Sequence, residues 1–268
     1  MALSFCMDAM KTIFARRLRS ALKASSIHLI GSFFVALLCG GLIFGIWYPY
    51  PFSELVGGKQ LFLLAVSVDV VAGPLLTLVV FNPAKRKLEL WRDIGTIVAL
   101  QLAALGYGIF SMAEARPVFV AFEGSRFRVV CIPDIDHSAL KEAPKALQRL
   151  SWSGPKMLGV RLAKSTDPDF LASIEMSLKG FHSAFRPGRW VSYDSQREDV
   201  SAAVKPLSLL REKHPQQKAL IERVLAISNL NEKDLGYLPL AAGAHDDWVL
   251  VVRVKDAEPV AYLPLDGW

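Results

Sequence analysis

Acidic residues stand beside a histidine at two places in this 268-residue chain, Pro133-Asp134-Ile135-Asp136-His137 and Ala244-His245-Asp246-Asp247. Such a grouping could chelate a divalent ion or orient a general base. Both stretches border predicted strands, where Asp and small residues serve turns and helix caps. The five histidines, at 28, 137, 182, 214 and 245, show neither the H-E-x-x-H spacing nor the paired cysteines of a zinc site. No G-x-S-x-G elbow, Walker loop or dinucleotide glycine pattern occurs. The residues therefore point to no catalytic group, no metal and no cofactor. A single ionisable residue carries more: Asp69, in Val68-Asp69-Val70-Val71-Ala72-Gly73-Pro74.

Asp69 lies close to the middle of the second of three apolar runs, Leu29 to Tyr48, Leu61 to Phe81 and Ile94 to Ala113. Each is near the ~20 residues with which a helix crosses hydrocarbon. An ionisable side chain at that depth costs ~2.5–3.5 kcal/mol, so something must compensate it. Two readings stay open. Asp69 meets a partner on another helix, in this chain or in a client, or it is protonated and bonded to Gln101 or to a backbone carbonyl freed by Pro74. Pro74 lacks an amide proton and predicts a kink. Gly41 and Gly45 form a G-x-x-x-G, and Gly95, Ala103, Gly106 and Gly108 stand in the third run. Small residues let helices approach closely, among these spans or toward a foreign helix.

Basic residues between the runs predict orientation. Lys11, Arg16, Arg17, Arg19 and Lys23 precede the first run, and Lys85, Arg86, Lys87 and Arg92 separate the second from the third, whereas Tyr48 to Gln60 offers only Lys59. Loops rich in Lys and Arg stay cytoplasmic. The prediction is a cytoplasmic leader over residues 1–28, a three-helix transmembrane region over 29–113, and an exported domain over 114–268. The net charge of +6 does not make a nucleic-acid binder, because residues 114–268 hold 21 Lys and Arg against 20 Asp and Glu. The excess flanks the spans, as topology charge and contact with anionic membrane lipid. Of the three cysteines only Cys131 falls in the exported part, so no disulfide framework is expected there.

The exported part opens with a hairpin pattern, residues 117–122 and 126–132 about Glu123-Gly124-Ser125. Helices are predicted over 138–150, over 168–179 with Asp167 as cap, and over 215–229, where Ala219, Leu220, Val224, Leu225 and Ile227 form the apolar face. A strand is predicted at 157–162, and the C-terminus returns to strands at 237–241, 248–254 and 259–263. Residues 181–193 read as a loop in which Arg189 and Trp190, types enriched at interfaces, are candidate client contacts or else tuck onto the domain's own core. The fold class is three transmembrane α-helices followed by an α+β domain with an antiparallel sheet, and residues 116–268 are expected to fold when detached.

Several stretches together carry a resemblance. They are Arg16-Arg17-Leu18-Arg19, Trp47-Tyr48-Pro49-Tyr50-Pro51-Phe52, Val68 through Thr77 with its D-x-x-x-G-P, Val80-Phe81-Asn82-Pro83 and Ala115-Arg116-Pro117-Val118-Phe119, with Tyr237-Leu238-Pro239-Leu240 and Tyr262-Leu263-Pro264-Leu265 near the end. The chain resembles the TfpX/TfpZ family of type IV pilin accessory proteins. The resemblance implies an inner-membrane protein of pilus biogenesis, paired with a particular major pilin and affecting its supply, its assembly or pilus dynamics, without catalytic residues. The client it implies is the pilin's membrane helix, and the residues themselves supply Asp69, Gly73, Pro74, Gly41 and Gly45 as its candidate contact. The residues alone leave a membrane-anchored sensor and a membrane enzyme of envelope glycan or lipid open. A sensor needs a cytoplasmic output module, and such an enzyme needs acids or histidines at the membrane surface, where only Glu54 and Glu114 stand close.

Overall fold

A computed structural model describes residues 2–243 and 245–268, and within the first ten residues the side chains of Met7 and Met10 alone. Ala244, in the second His-Asp grouping, lies outside the described residues. The chain divides into two compact units, residues 1–45 with 57–114, and residues 46–56 with 115–268.

The first unit is built on the helices α1 (Ala2–Leu42), α3 (Gly58–Val80) and α4 (Lys87–Ala115). All three are long and apolar enough to cross a membrane. They extend beyond the apolar runs because Lys, Arg, Glu and Ala are good helix formers, so hydropathy marks the part suited to lipid and not the end of the helix. α1 and α3 are antiparallel. Gly40 takes the Phe62 ring against its α-carbon, where an added β-carbon would meet the ring at 3.1 Å, and at the other end Arg17 Nη2 donates to the Val79 carbonyl at 3.3 Å. α4 returns along α3, with Gly108 against the Ala65 methyl. Lys85 and Asp93, 2.6 Å apart, brace the α3–α4 turn.

The second unit begins with the short helix α2 (Phe52–Leu55) in the stretch 46–56. It continues through β1 (Pro117–Phe122), β2 (Phe127–Cys131), β3 (Lys156–Val160), α5 (Phe170–Leu178), β4 (Trp190–Val191), α6 (Arg197–Ala203), β5 (Lys205–Pro206), α7 (Leu207–Lys213), α8 (Lys218–Ser228), β6 (Leu235–Ala242), β7 (His245–Arg253) and β8 (Pro259–Leu263). One eight-stranded sheet runs β4-β3-β1-β2-β6-β7-β8, with β5 joined to β6. The hairpin and the three C-terminal strands form antiparallel pairs where the pattern places them. The sheet as a whole is mixed, however, because β1–β3 and β2–β6 pair parallel.

Strand alternation sends side chains to two covered faces. Val120, Phe122, Phe127, Val129, Leu238, Leu240, Trp248 and Leu250 build a core on one face together with Tyr193 of the segment before α6 and Val200 of α6. Phe119, Ala121, Val130 and Leu158 face Trp190 and Ala184 on the other, and Tyr237, Val249 and Val251 there meet Leu207, Leu210, Ile221 and Val224 of α7 and α8.

Three elements depart from the sequence pattern. The helix expected over 138–150 shrinks to a 3-10 segment, His137–Glu142, because Pro144 removes a donor and disfavours helix at the residue before it. Asp167 does not cap α5, whose N-cap is Asp169. It accepts instead from Arg161 Nη1 at 2.9 Å and the Lys164 amide at 3.2 Å. On α8 the buried face centres on Ile221 and Val224, and Ile227 is exposed.

The aromatic segment between the first two apolar runs belongs to the core of this second unit. Phe52 and Leu55 are buried in the same cluster as β1, β2, β6 and β7. The Phe52 ring packs on Tyr262 at 5.2 Å, and Trp47 packs on Trp152 at 5.9 Å. Gly154 has φ +74 and a β-carbon there would lie 3.0 Å from Pro49, so this turn needs glycine both for its conformation and for the close approach.

Candidate functional site

The polar positions of the helical unit converge on one cavity. His28, Gly31, Ser32, Val35 and Ala36 of α1, Val66 and Asp69 of α3, and Val98, Gln101, Leu102 and Leu105 of α4 line a space of about 250 Å³. Its walls are aliphatic, and its polar groups come from three helices, as in sites built between facing helices of a bundle. Asp69 is 7% exposed, and neither carboxylate oxygen has a hydrogen-bond partner among the described residues.

Gln101 is the neighbour that the sequence suggested for Asp69, but it meets a different atom. Its Nε2 donates to the Asp69 backbone carbonyl at 2.8 Å, and its own Oε1 has no partner among the described residues. Gly73 makes this possible. A β-carbon at position 73 would stand 2.1 Å from Gln101 Nε2, so only glycine leaves room for the amide against α3. Nearby, Ser25 Oγ donates to the Pro74 carbonyl at 2.8 Å, and His28 Nδ1 lies 2.6 Å from Thr77 Oγ1. These bonds fix α1 to α3 beside the cavity.

The other candidate residues separate. Gly41 and Gly45 have open space where a β-carbon would project, so the close approaches inside the unit are made by Gly40, Gly73 and Gly108 instead. Arg189 and Trp190 are 5% and 2% exposed and, with Ala184 and Tyr193, are tucked onto the domain's own core, whereas Phe181 at the start of the segment is exposed. Trp190 Nε1 donates to the Ala184 carbonyl at 2.8 Å and its ring packs on Phe119 at 5.0 Å. The Arg189 guanidinium bonds to Asp169 and lies 3.5 Å from Asp167. Both residues are therefore structural here and not surface contacts: aspartates on either side of Pro168 neutralise the guanidinium and draw it inward.

The first His-Asp grouping makes a turn and a cap, whereas His245, Asp246 and Asp247 of the second begin β7. Asp134 accepts from the Cys131 amide at 2.8 Å, and burial raises its carboxyl above the usual range. Asp136 accepts from the Ser138 amide and hydroxyl, while His245 Nδ1 and Asp247 are 3.7 Å apart. Among the described residues no cluster of three or more His, Cys, Asp or Glu is placed to hold a metal ion.

Sequence reasoning missed His28 as a cavity residue. It stands where the apolar run begins and reads as a boundary residue, although helical spacing from His28 to Ser32 and Val35 would have set it on one face.

Comparison with known proteins bears on the whole chain. The family model described as fimbrial assembly protein FimB matches residues 16–57, which reach from the basic leader to the segment embedded in the second unit. A fimbrial assembly protein of serogroup E1 from Dichelobacter nodosus is 35% identical over 238 residues, covering 88% of this chain and 92% of that protein. The serogroup I protein of the same organism is 36% identical over 239 residues, with the same coverage. A shorter relative, of serogroups C1 and C2, is 42% identical over 131 residues, 49% of this chain and 98% of its own length. No solved structure matches. With such identity along nearly the full length of both chains, the protein belongs to the fimbrial assembly protein family.

Proposed function

We propose that the protein is a non-catalytic accessory factor of type IV pilus biogenesis in the bacterial inner membrane, which engages the major pilin while the pilin's hydrophobic helix still lies in the bilayer. The observation that carries this reading is the cavity around Asp69, an apolar space among three helices with an unpartnered carboxyl in its wall. A structural carboxyl at that depth would be satisfied within its own bundle, because an isolated polar group in hydrocarbon is costly. One left without a partner is suited to a partner that arrives and leaves. A polar bond between helices in lipid is worth only ~0.6–2 kcal/mol, which suits transient handover of a subunit to a growing fibre and not permanent capture. Gly41 in α1 and Gly45 in the helical turn that follows it, both with open space beside the α-carbon, offer a second stretch where a foreign helix can approach closely.

Two observations support the orientation with the N-terminus cytoplasmic and residues 114–268 periplasmic. The Lys and Arg asymmetry puts the 48–60 connection outside. Independently, residues 46–56 share a core with residues 115–268, so both lie on one side of the membrane that the helices cross.

A photo-crosslinking residue at Leu105, in the cavity wall, tests the proposal in cells expressing the cognate major pilin. The expected product is an adduct to the pilin's N-terminal helix, formed from the membrane pool and not from assembled fibres, with surface piliation lost on deletion of the gene. A deletion strain with normal piliation and no pilin adduct would remove the reading.

A further inference from the structure

We propose that the cavity between α1, α3 and α4 binds a primary ammonium group carried by a membrane-embedded partner. The proposal rests on the reading that the cavity receives a partner within the bilayer, and it names the chemical group received.

Three acceptor atoms define the site. Asp69 Oδ1, Asp69 Oδ2 and Gln101 Oε1 are buried without hydrogen-bond partners among the described residues, and both side chains line the cavity. The Gln101 amide nitrogen is held by the Asp69 backbone carbonyl at 2.8 Å, and Gly73 leaves room for it there. The arrangement thus presents three buried acceptor atoms, two of them on a carboxyl that becomes an anion when it pairs with a cation. A primary ammonium supplies three N–H donors and one positive charge, one donor for each acceptor. A guanidinium carries five donors in a flat, rigid fork, more than the three unpartnered acceptor atoms, in a cavity whose remaining walls are mostly aliphatic. A neutral hydroxyl supplies one donor and leaves the other acceptors unpaired.

Depth excludes a lipid headgroup as the source. Asp69 is the central residue of the 23-residue α3, so about 16 Å of helix separates it from either end. An ammonium reaches that level only on a lysine side chain in the middle of a partner helix, or on a chain amino terminus that ends midway across the bilayer. The cavity volume, about 250 Å³, suits one side chain or chain end and not a lipid.

The test uses the full-length protein in phosphatidylcholine vesicles, with association measured by energy transfer to synthetic Leu/Ala transmembrane peptides of about 20 residues. One peptide carries a central lysine and its twin a central norleucine. A third begins with a free amino terminus at mid-depth, and its twin is acetylated there. A fifth carries a central arginine. The expected result is tighter association of the lysine peptide, or of the free-amine peptide, than of its uncharged twin by roughly three- to thirtyfold. Which of the two binds identifies the source. Asp69→Asn, which keeps shape and removes charge, should abolish the preference, and Gln101→Leu, which removes the third acceptor, should reduce it. Equal association of charged and uncharged twins overturns the assignment, as does a preference unchanged in both variants or an arginine peptide that binds as tightly as lysine. No pilin enters this assay, so a negative result here leaves the pilin crosslink standing, and a failed crosslink leaves the ammonium preference measurable.

Discussion

At the scale of single residues, the cavity depends on which atom of each side chain is engaged. Asp69 was legible in the sequence because an acid inside an apolar run must be explained. That Gln101 binds its backbone carbonyl and leaves its carboxyl free was not, since helical spacing gives faces and not atoms. Arg189 and Trp190 show the converse limit. An Arg-Trp pair in a loop has the same composition whether it faces a client or its own core, and here Asp167 and Asp169 settle the matter. A nearby histidine gives a pH prediction. His182 packs on Phe185 at 5.4 Å, and burial, then the Arg128 charge, hold its imidazole below the ordinary 6.5 despite Glu123 and Asp246. A depressed histidine favours the native state while it is neutral. Its contribution is therefore full above pH 6.5 and lost as pH falls from there through the lower folded value, because the unfolded chain takes up the proton first. The melting temperature of the second unit should fall over that interval, and His182→Gln should make the decline shallower. An identical pH slope in the variant would remove His182 from the account.

At the scale of elements, the segment 46–56 explains more than its length suggests. Its aromatic character was visible, but its docking site was not, because Phe52 meets strands and a Tyr262 ring that lie far along the chain. Patterning likewise located the hairpin and the C-terminal strands. It could not reveal the parallel β2–β6 pairing, since period-two alternation is the same for either orientation. The buried Phe52 and Leu55 also change the expectation that residues 116–268 fold well when detached. Without residues 46–56 one face of the sheet loses part of its cover. In the full chain, Phe52→Ala should destabilise the second unit by ~3–5 kcal/mol, the cost of emptying a large buried site, read as a lower melting temperature of protease resistance. A loss of no more than about 0.5 kcal/mol, the range of exposed substitutions, would show that this segment is only draped on the domain.

At the scale of the whole molecule, the architecture joins a helical unit carrying the cavity to a sheet domain that takes in the connection between the first two spanning helices. This sharing constrains topology, because that connection and the C-terminal domain must emerge on the same face. A reporter active only in the periplasm should be active when fused after Trp268 and silent when fused near Arg86, and reversed activities would discard the orientation. The central claim is that Asp69 meets the pilin. It is tested most directly by comparing Asp69→Leu and Asp69→Asn for crosslinking to the major pilin from the cavity wall, in cells where both variants accumulate as the wild type does. Asp69→Leu should lose the crosslink and surface piliation. Asp69→Asn should lose them equally if an ion pair is made and keep a part if a neutral hydrogen bond suffices. An Asp69→Leu protein that crosslinks to the pilin and supports piliation as well as the wild type would contradict the account and leave Asp69 as a residue of the bundle alone.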